Sequence, residues 1–268
     1  MLRHGIVAFA LVLTTARASA ACGKDASGFE AWLDETKKEA IAAGIAEKTI
    51  TRALGAVFYD EEVIALDRSQ KPFKKTFKAF AAQRITKARL RDGREMLVAH
   101  EKTLAAVEAK FGVPPAVIVA IWGLETDYGA NMGDRSAFRS LATLAYDCRR
   151  SDRFRGELMS ALRIAERGDL ALNDIRGAWA GELGQTQFLP SSYEKFAVDF
   201  DGDGRADLRN SIPDVLASTA SYLAGNGWTR GAAWKEGAPN FAVLASWNKS
   251  AIYQKTIALF ATRLAKGT

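Results

Sequence analysis

The chain has 268 residues, 48% of them hydrophobic and 25% charged, with 37 basic against 31 acidic residues and only two histidines and two cysteines. That is enough chain for one large domain, or a domain with a small helical appendage, and too little excess charge for a nucleic-acid binder. Arg3 and His4 precede an apolar run from Ile6 to Leu13, and Ala18-Ser19-Ala20 supplies the small residues of a signal-peptidase site, so residues 1–20 read as an export signal. About eight apolar residues cannot span roughly 30 Å of hydrocarbon. Removing the segment leaves 35 basic and 31 acidic residues, a balance that suits an anionic polymer in the envelope. His100 is then the sole histidine, which argues against a Ser-His-Asp triad and against a multi-histidine zinc site. No glycine loop of P-loop or dinucleotide type occurs.

Cys22 follows the cleavage site and admits two readings. It pairs with Cys148 in an oxidising compartment, or Ser19-Ala20-Ala21-Cys22 is a lipoprotein processing site, against which stands the serine where such signals carry leucine.

Periodicity is helical nearly throughout. Phe29, Trp32, Leu33 and Thr36 begin a face at period 3.6; Ile45 to Leu54 read as a short helix; Phe73 to Phe111 is rich in helix formers, with a break expected at Gly93. Pro114-Pro115 opens the next helix, whose apolar surface is Val117, Ile118, Ile121, Trp122 and Leu124, and Gly129 is expected to close it. Further helices fit Ala137 to Tyr146, Ser151 to Arg167, Ser211 to Leu223 and Lys249 to Leu264, with Ser191 or Ser192 a candidate cap for another. Gly and Asp clusters at 177–184 and 199–204 mark loops between helices. The expected architecture is mainly α: a helical part over 21–110 packed on a core over 111–268, with a soft boundary between Val98 and Gly112.

Glu125 is the candidate catalytic residue. It stands one turn beyond Ile121, near the negative end of the helix dipole, and partial desolvation there favours the neutral form that a general acid needs. Asp127 is the nearest second carboxylate, but two residues along a helix points it away, so it is assigned no catalytic role. The loop from Asp199 to Asp207 places Asp199, Asp201 and Asp203 at positions 1, 3 and 5 of a calcium loop with glycine at position 6 and Arg205 offering its carbonyl. Position 12 is Asn210 rather than glutamate, and Asp214 could close a longer loop. Such a cage is structural, because saturated oxygen ligation leaves little room to activate water. A third segment, Gly181 to Tyr193, mixes small residues, amides and aromatics, as a glycan groove does.

Three segments taken together, Trp122-Gly123-Leu124-Glu125-Thr126, Gly184 to Tyr193 and Ala197 to Gly204, resemble the lytic murein transglycosylase B family in its short, soluble form. The resemblance runs from about Phe29 to the C-terminus. It implies a lysozyme-like fold with an EF-hand-like calcium loop, and cleavage of the bond between N-acetylmuramic acid and N-acetylglucosamine in periplasmic peptidoglycan, leaving 1,6-anhydro ends. By the same resemblance Glu125 is the single acid/base, Gln187 and Tyr222 line the groove, and Trp247, Asn248 and Tyr253 contact sugar. Arg149 and Arg150 then meet the carboxylates of the peptide stem. The chain departs from the pattern at Ala178, where many relatives have a serine that orients the acid, and in its short stretch between Trp228 and Phe241. Two other readings stay open: a muramidase that uses water, and a noncatalytic peptidoglycan-binding scaffold.

Overall fold

The computed structural model describes residues 21–70 and 75–267. The predicted export signal over 1–20, and Phe73 at the start of the predicted helical stretch, lie outside the described residues.

The chain forms α1 (Phe29–Ala42), α2 (Glu47–Leu54), α3 (Glu61–Ser69), α4 (Phe77–Arg84), α5 (Lys87–Ala99), α6 (Glu101–Phe111) and α7 (Pro115–Thr126). After these come α8 (Ala137–Tyr146), α9 (Ser151–Arg167), α10 (Pro190–Phe196), α11 (Ile212–Gly225), α12 (Pro239–Trp247) and α13 (Ala251–Ala265). The strands are β1 (Arg135–Ser136) and β2 (Arg176–Gly177), antiparallel, with Arg135 opposite Gly177.

α7 is the axis of the molecule. Every residue from Ala116 to Leu124 is buried, as expected of a helix that is apolar all round. α13 lies along it, α5 and α11 cover other sides, and α4 packs on α13. A second layer joins α8 to α9, with α2 against both, α1 on α2 and α8, and α10 on α9. One apolar cluster runs from Phe29 to Leu264 through both layers. Among the described residues no single helix is long and apolar enough to cross a membrane.

The break expected at Gly93 is not there. The stretch divides instead before Thr86, whose hydroxyl caps α5 by accepting the Arg89 N–H, and at His100. Gly93 is buried inside α5 because the helix meets its neighbours there: a Cβ would come within 2.5 Å of Tyr128 Oη and 2.9 Å of Leu264 Cδ2. α3, with Asp60 accepting the N–H groups of Glu62 and Val63, and α12 are elements the periodicity did not reveal. At α10 neither Ser191 nor Ser192 is the cap. Pro190 opens the helix, and the Ser191 N–H and hydroxyl both donate to Glu157 on α9.

Cys22 and Cys148 are joined by a disulfide, leaving no free thiol among the described residues. The Gly23 N–H donates to the Tyr146 carbonyl and the Cys148 N–H returns to Gly23, so the N-terminal segment is tied to the end of α8. Closing so long a loop stabilises the fold by about 4 to 5 kcal/mol on chain-entropy grounds.

Candidate functional site

Glu125 lies in the last turn of α7. The helix ends not at Gly129 but at Asp127, which is left-handed at φ 50°, followed by Tyr128 at φ 59°. Left-handed backbone costs a non-glycine residue roughly 1 to 2 kcal/mol. Here side-chain contacts offset it: the Arg89 guanidinium pairs with Asp127, and the Tyr128 hydroxyl donates to the Arg89 carbonyl at 2.6 Å. Gly129 is still required, at φ 88°, because a Cβ would come within 2.4 Å of Gln185 Oε1.

That glutamine is one of the bolts between α7 and the loop that faces Glu125. Trp122 Nε1–H donates to Gln185 Oε1 at 2.8 Å, and the Thr126 hydroxyl donates to the Gln185 carbonyl. Backbone bonds between Leu183 and Phe188 close the loop on itself, at 2.7 and 2.9 Å. Gln187 sits at its tip with φ 54°, its amide N–H groups donating to the carbonyls of Met132 and Gly184. Its side-chain oxygen is left to accept from a ligand.

Two donors converge on one oxygen of Glu125. Trp247 Nε1–H, from the end of α12, donates to Oε1 at 2.9 Å, and the Tyr253 hydroxyl, from α13, donates to the same atom at 2.8 Å. Oε2 is therefore the oxygen that can carry the proton. Burial pushes the Glu125 carboxyl up; the two donors and the charge of Arg84 oppose it, and the carboxylate of Glu182 adds to it. Burial wins, which favours a protonated acid. The Tyr253 phenol, itself buried against Glu125, is pushed well above its ordinary range, so it remains a donor.

Glu125 opens on a cleft of about 620 Å³ shared with Glu182, Gln187, Tyr222, Trp247 and Asn248. Tyr222, Phe188 and Trp247 form one wall, with ring centroids 5.0 to 5.6 Å apart, and the Tyr222 hydroxyl donates to the Ser246 carbonyl. Asn248 Oδ1 accepts the Ser250 N–H. Gln187, Tyr222, Trp247 and Asn248 thus come together around Glu125. Tyr253, expected to contact sugar, does not line the cleft: it is 7% exposed and backs Glu125 from inside the core.

Arg149 and Arg150 are placed differently from the expectation. Both guanidinium groups are engaged by Asp67 of α3, which is 1% exposed, and they line a separate hollow of about 410 Å³ beside the disulfide. Arg153, one turn into α9, lines both this hollow and the Glu125 cleft. Glu182 is the residue that sequence reasoning passed over. It stood in the glycan-groove segment unassigned, although a lone acid between Gly181 and Leu183 is a visible signal.

Asp127 is turned toward Arg89, which holds its carboxyl below the ordinary range. In the acidic loop the Asp199, Asp201 and Asp203 side chains are exposed, with one oxygen from each lying within 4.8 Å of the others. They accept loop amides: Asp199 from Gly202 and Gly204, Asp201 from Asp203, and Asp203 from Arg205. Asp214 lies beneath them, fully buried at the start of α11. Its oxygens receive the Phe200 and Asp207 N–H groups at 2.7 and 2.8 Å, so it holds the loop's backbone instead of joining the three-carboxylate cluster. The Arg205 guanidinium lies against Asp203 at 3.3 Å.

Residues 28–239 match the family described as Transglycosylase SLT domain. The chain belongs to this family. Within the SLT transglycosylases it is 41% identical over 134 residues to the membrane-bound lytic murein transglycosylase B of Escherichia coli K12, a match covering 49% of this chain and 37% of that one. It thus spans about a third of that relative's length. SltB3 of Pseudomonas aeruginosa, solved in complex with NAG-NAM-pentapeptide, superposes with TM-score 0.86 at 32% identity over 90% of this chain and 80% of that one. The same enzyme was also solved with NAG-anhNAM-pentapeptide. The lytic transglycosylase Slt35 of Escherichia coli, solved in complex with calcium, shares the fold with TM-score 0.78 at 24% identity, over 92% of this chain and 96% of that one. The mainly helical, lysozyme-like architecture expected from the sequence is the one found.

Proposed function

We propose that this SLT transglycosylase cleaves the β-1,4 bond between N-acetylmuramic acid and N-acetylglucosamine in peptidoglycan and leaves 1,6-anhydromuramic ends, with Glu125 as its single acid and base. The observation that carries the proposal is a half-buried carboxyl at a cleft wall with two donors on one oxygen and its other oxygen left for the proton. The glycan fragments bound by SltB3 support the same substrate class.

Glu125 donates its proton to the glycosidic oxygen as the bond to C1 of the muramic residue breaks and positive charge develops there. The carboxylate so formed is held by Trp247 and Tyr253, which favour the charged form. It then takes the proton of the muramic C6 hydroxyl as that oxygen closes on C1. The proton count balances, and no water enters. The Tyr222, Phe188 and Trp247 wall offers ring faces to sugar, while Gln187 accepts from an amide or hydroxyl.

Asp199, Asp201 and Asp203 fit a calcium ion by donor type: three hard carboxylates face one another with one guanidinium beside them, leaving net negative charge. The ion would brace the loop above Asp214, with the Arg205 carbonyl adding a donor. The charge balance and the disulfide suit an exported chain at work in the periplasm. Residues 21–110 act as a helical support for the catalytic part over 111–268, and Arg84 of α4 reaches the carbonyl of Leu124 beside the acid.

Glu182 favours a second reading, hydrolysis, since an ordinary glycosidase needs a second carboxylate in its cleft. Mass spectrometry of fragments released from purified sacculi separates the readings. Anhydromuropeptides are expected. Reducing ends carrying oxygen from labelled water would move the assignment to a muramidase, and sacculus binding without release would make the chain a scaffold.

A further inference from the structure

The Glu125 cleft contains a second carboxyl that the proposed mechanism leaves idle. Glu182 sits on the loop bolted to α7, its Oε2 accepting the Ala180 N–H at 3.2 Å, and it lines the same cleft as Glu125. The position is built: backbone bonds between Leu183 and Phe188 close the loop immediately beyond it, and residue 177 pairs with Leu183 on its other side. A carboxylate held there faces either solvent within the cleft or the acid across it.

From this shared, rigid placement we infer that Glu182 is a positioning residue, a fixed negative charge that keeps Glu125 in its proton-bearing form and so extends cleavage to higher pH. The inference rests on Glu125 being the general acid.

The two carboxyls face different sets of groups. Burial raises the Glu182 carboxyl, opposed by the backbone N–H groups of Glu182 and Ala180 and by the charges of Arg153 and Arg150. Glu125 is faced by Arg84 from α4, by the donors Trp247 and Tyr253, and by Glu182 itself. Lys249 lines the cleft at its far wall. On this inference Glu182 is the first of the two to ionise, with Arg153 lining the same cleft, so that its charge repels a second charge on Glu125. Two carboxyls coupled in this way titrate as a pair. The sign follows: with Glu182 ionised, Glu125 holds its proton to higher pH, and with the charge removed it gives the proton up earlier.

The test is the pH dependence of kcat/KM on purified sacculi for the full chain and for Glu182→Gln. The amide oxygen of Gln can still accept the Ala180 N–H, so the loop keeps its anchor while the charge is lost. The alkaline limb is expected to move to lower pH by roughly half a unit to one unit, with the ratio of wild-type to variant rates growing by roughly threefold to tenfold between the plateau and the limb. A limb that stays in place, with equal loss at every pH, would reduce Glu182 to a loop anchor and overturn the inference. So would wild-type reducing-end products that vanish in the variant, because Glu182 would then be serving water. If the variant does not fold, carboxyl carbon-13 titration of the wild type decides: Glu182 must titrate at lower pH than Glu125, and the reverse order would refute the inference. Wild-type protein that releases no fragment from sacculi would instead count against the enzyme assignment, leaving the carboxyl coupling to be judged by that titration.

Discussion

The end of α7 and the loop from Asp199 to Asp207 both gather carboxylates, and they treat them in opposite ways. Glu125 is half-buried with a second acid lining its cleft, and burial outweighs the two donors on its Oε1, so its neutral form is favoured. The three loop aspartates are exposed, their oxygens accept loop amides, and one oxygen from each lies within 4.8 Å of the others. Burial makes a carboxyl a proton carrier, whereas exposure with converging oxygens suits it to a metal. Asp127, two residues from Glu125, makes the point within a single helix end: turned to Arg89, it is held ionised and has no proton to give.

The comparison breaks first at the donors. Tyr253→Phe removes one hydrogen bond from Glu125 Oε1. The carboxylate formed after the first proton transfer loses support, and kcat is expected to fall roughly tenfold to a hundredfold. Because that bond favours the charged form, its loss raises the Glu125 carboxyl further, so the alkaline limb should move to higher pH, opposite to Glu182→Gln. A limb displaced downward would contradict the account of the site.

At the loop the expected effect is on stability, not rate. Calcium at a hundred times its dissociation constant should stabilise the fold by about 2.7 kcal/mol, or several degrees in the melting temperature for a domain of this size. Chelation should abolish that gain in wild type and change nothing in Asp199→Asn, while the activity per folded molecule is retained. A melting temperature indifferent to calcium in wild type would make the loop a solvated turn. The smallest effect belongs to Asp127→Asn. Its carboxyl is lowered by Arg89, so its contribution is present above the ordinary value of 3.8 and fades as pH falls below it. The side chain is 40% exposed, which screens the pair, and the loss at neutral pH should stay under about 1 kcal/mol with kcat/KM nearly unchanged. A tenfold loss of activity would give Asp127 a role in the chemistry.

How far the sequence reached depended on whether a feature is local. Ala137 to Tyr146 and Ser151 to Arg167 were legible to the residue: the first is a run of small and apolar residues buried at every position but Arg139, and the second buries one face at period 3.6. Gly93 misled, since glycine serves helix contact as well as helix breaking, and only the meeting with Tyr128 and Leu264 tells which. Gly129 misled for a similar reason: Arg89, thirty-eight positions from Asp127, lets a non-glycine residue end the helix. The place of Glu125 near the end of its helix was legible, but its partners come from α12 and α13. Trp247 and Tyr253 were visible only as a motif, with no sign that Tyr253 would lie behind the acid instead of beneath a sugar. Arg149 and Arg150 looked like exposed cations because Asp67, about eighty residues away, is invisible to local reading.

The central claim is that one carboxyl, Glu125, cleaves the glycan strand. It is tested most directly by mass spectrometry of muropeptides released from purified sacculi by wild type and by Glu125→Gln, with melting curves showing both folded and a pull-down showing both bound. The account predicts anhydromuropeptides from wild type and release lower by at least roughly a thousandfold from the variant. Anhydromuropeptides from Glu125→Gln at a comparable rate would contradict it and send the search for the acid to Glu182.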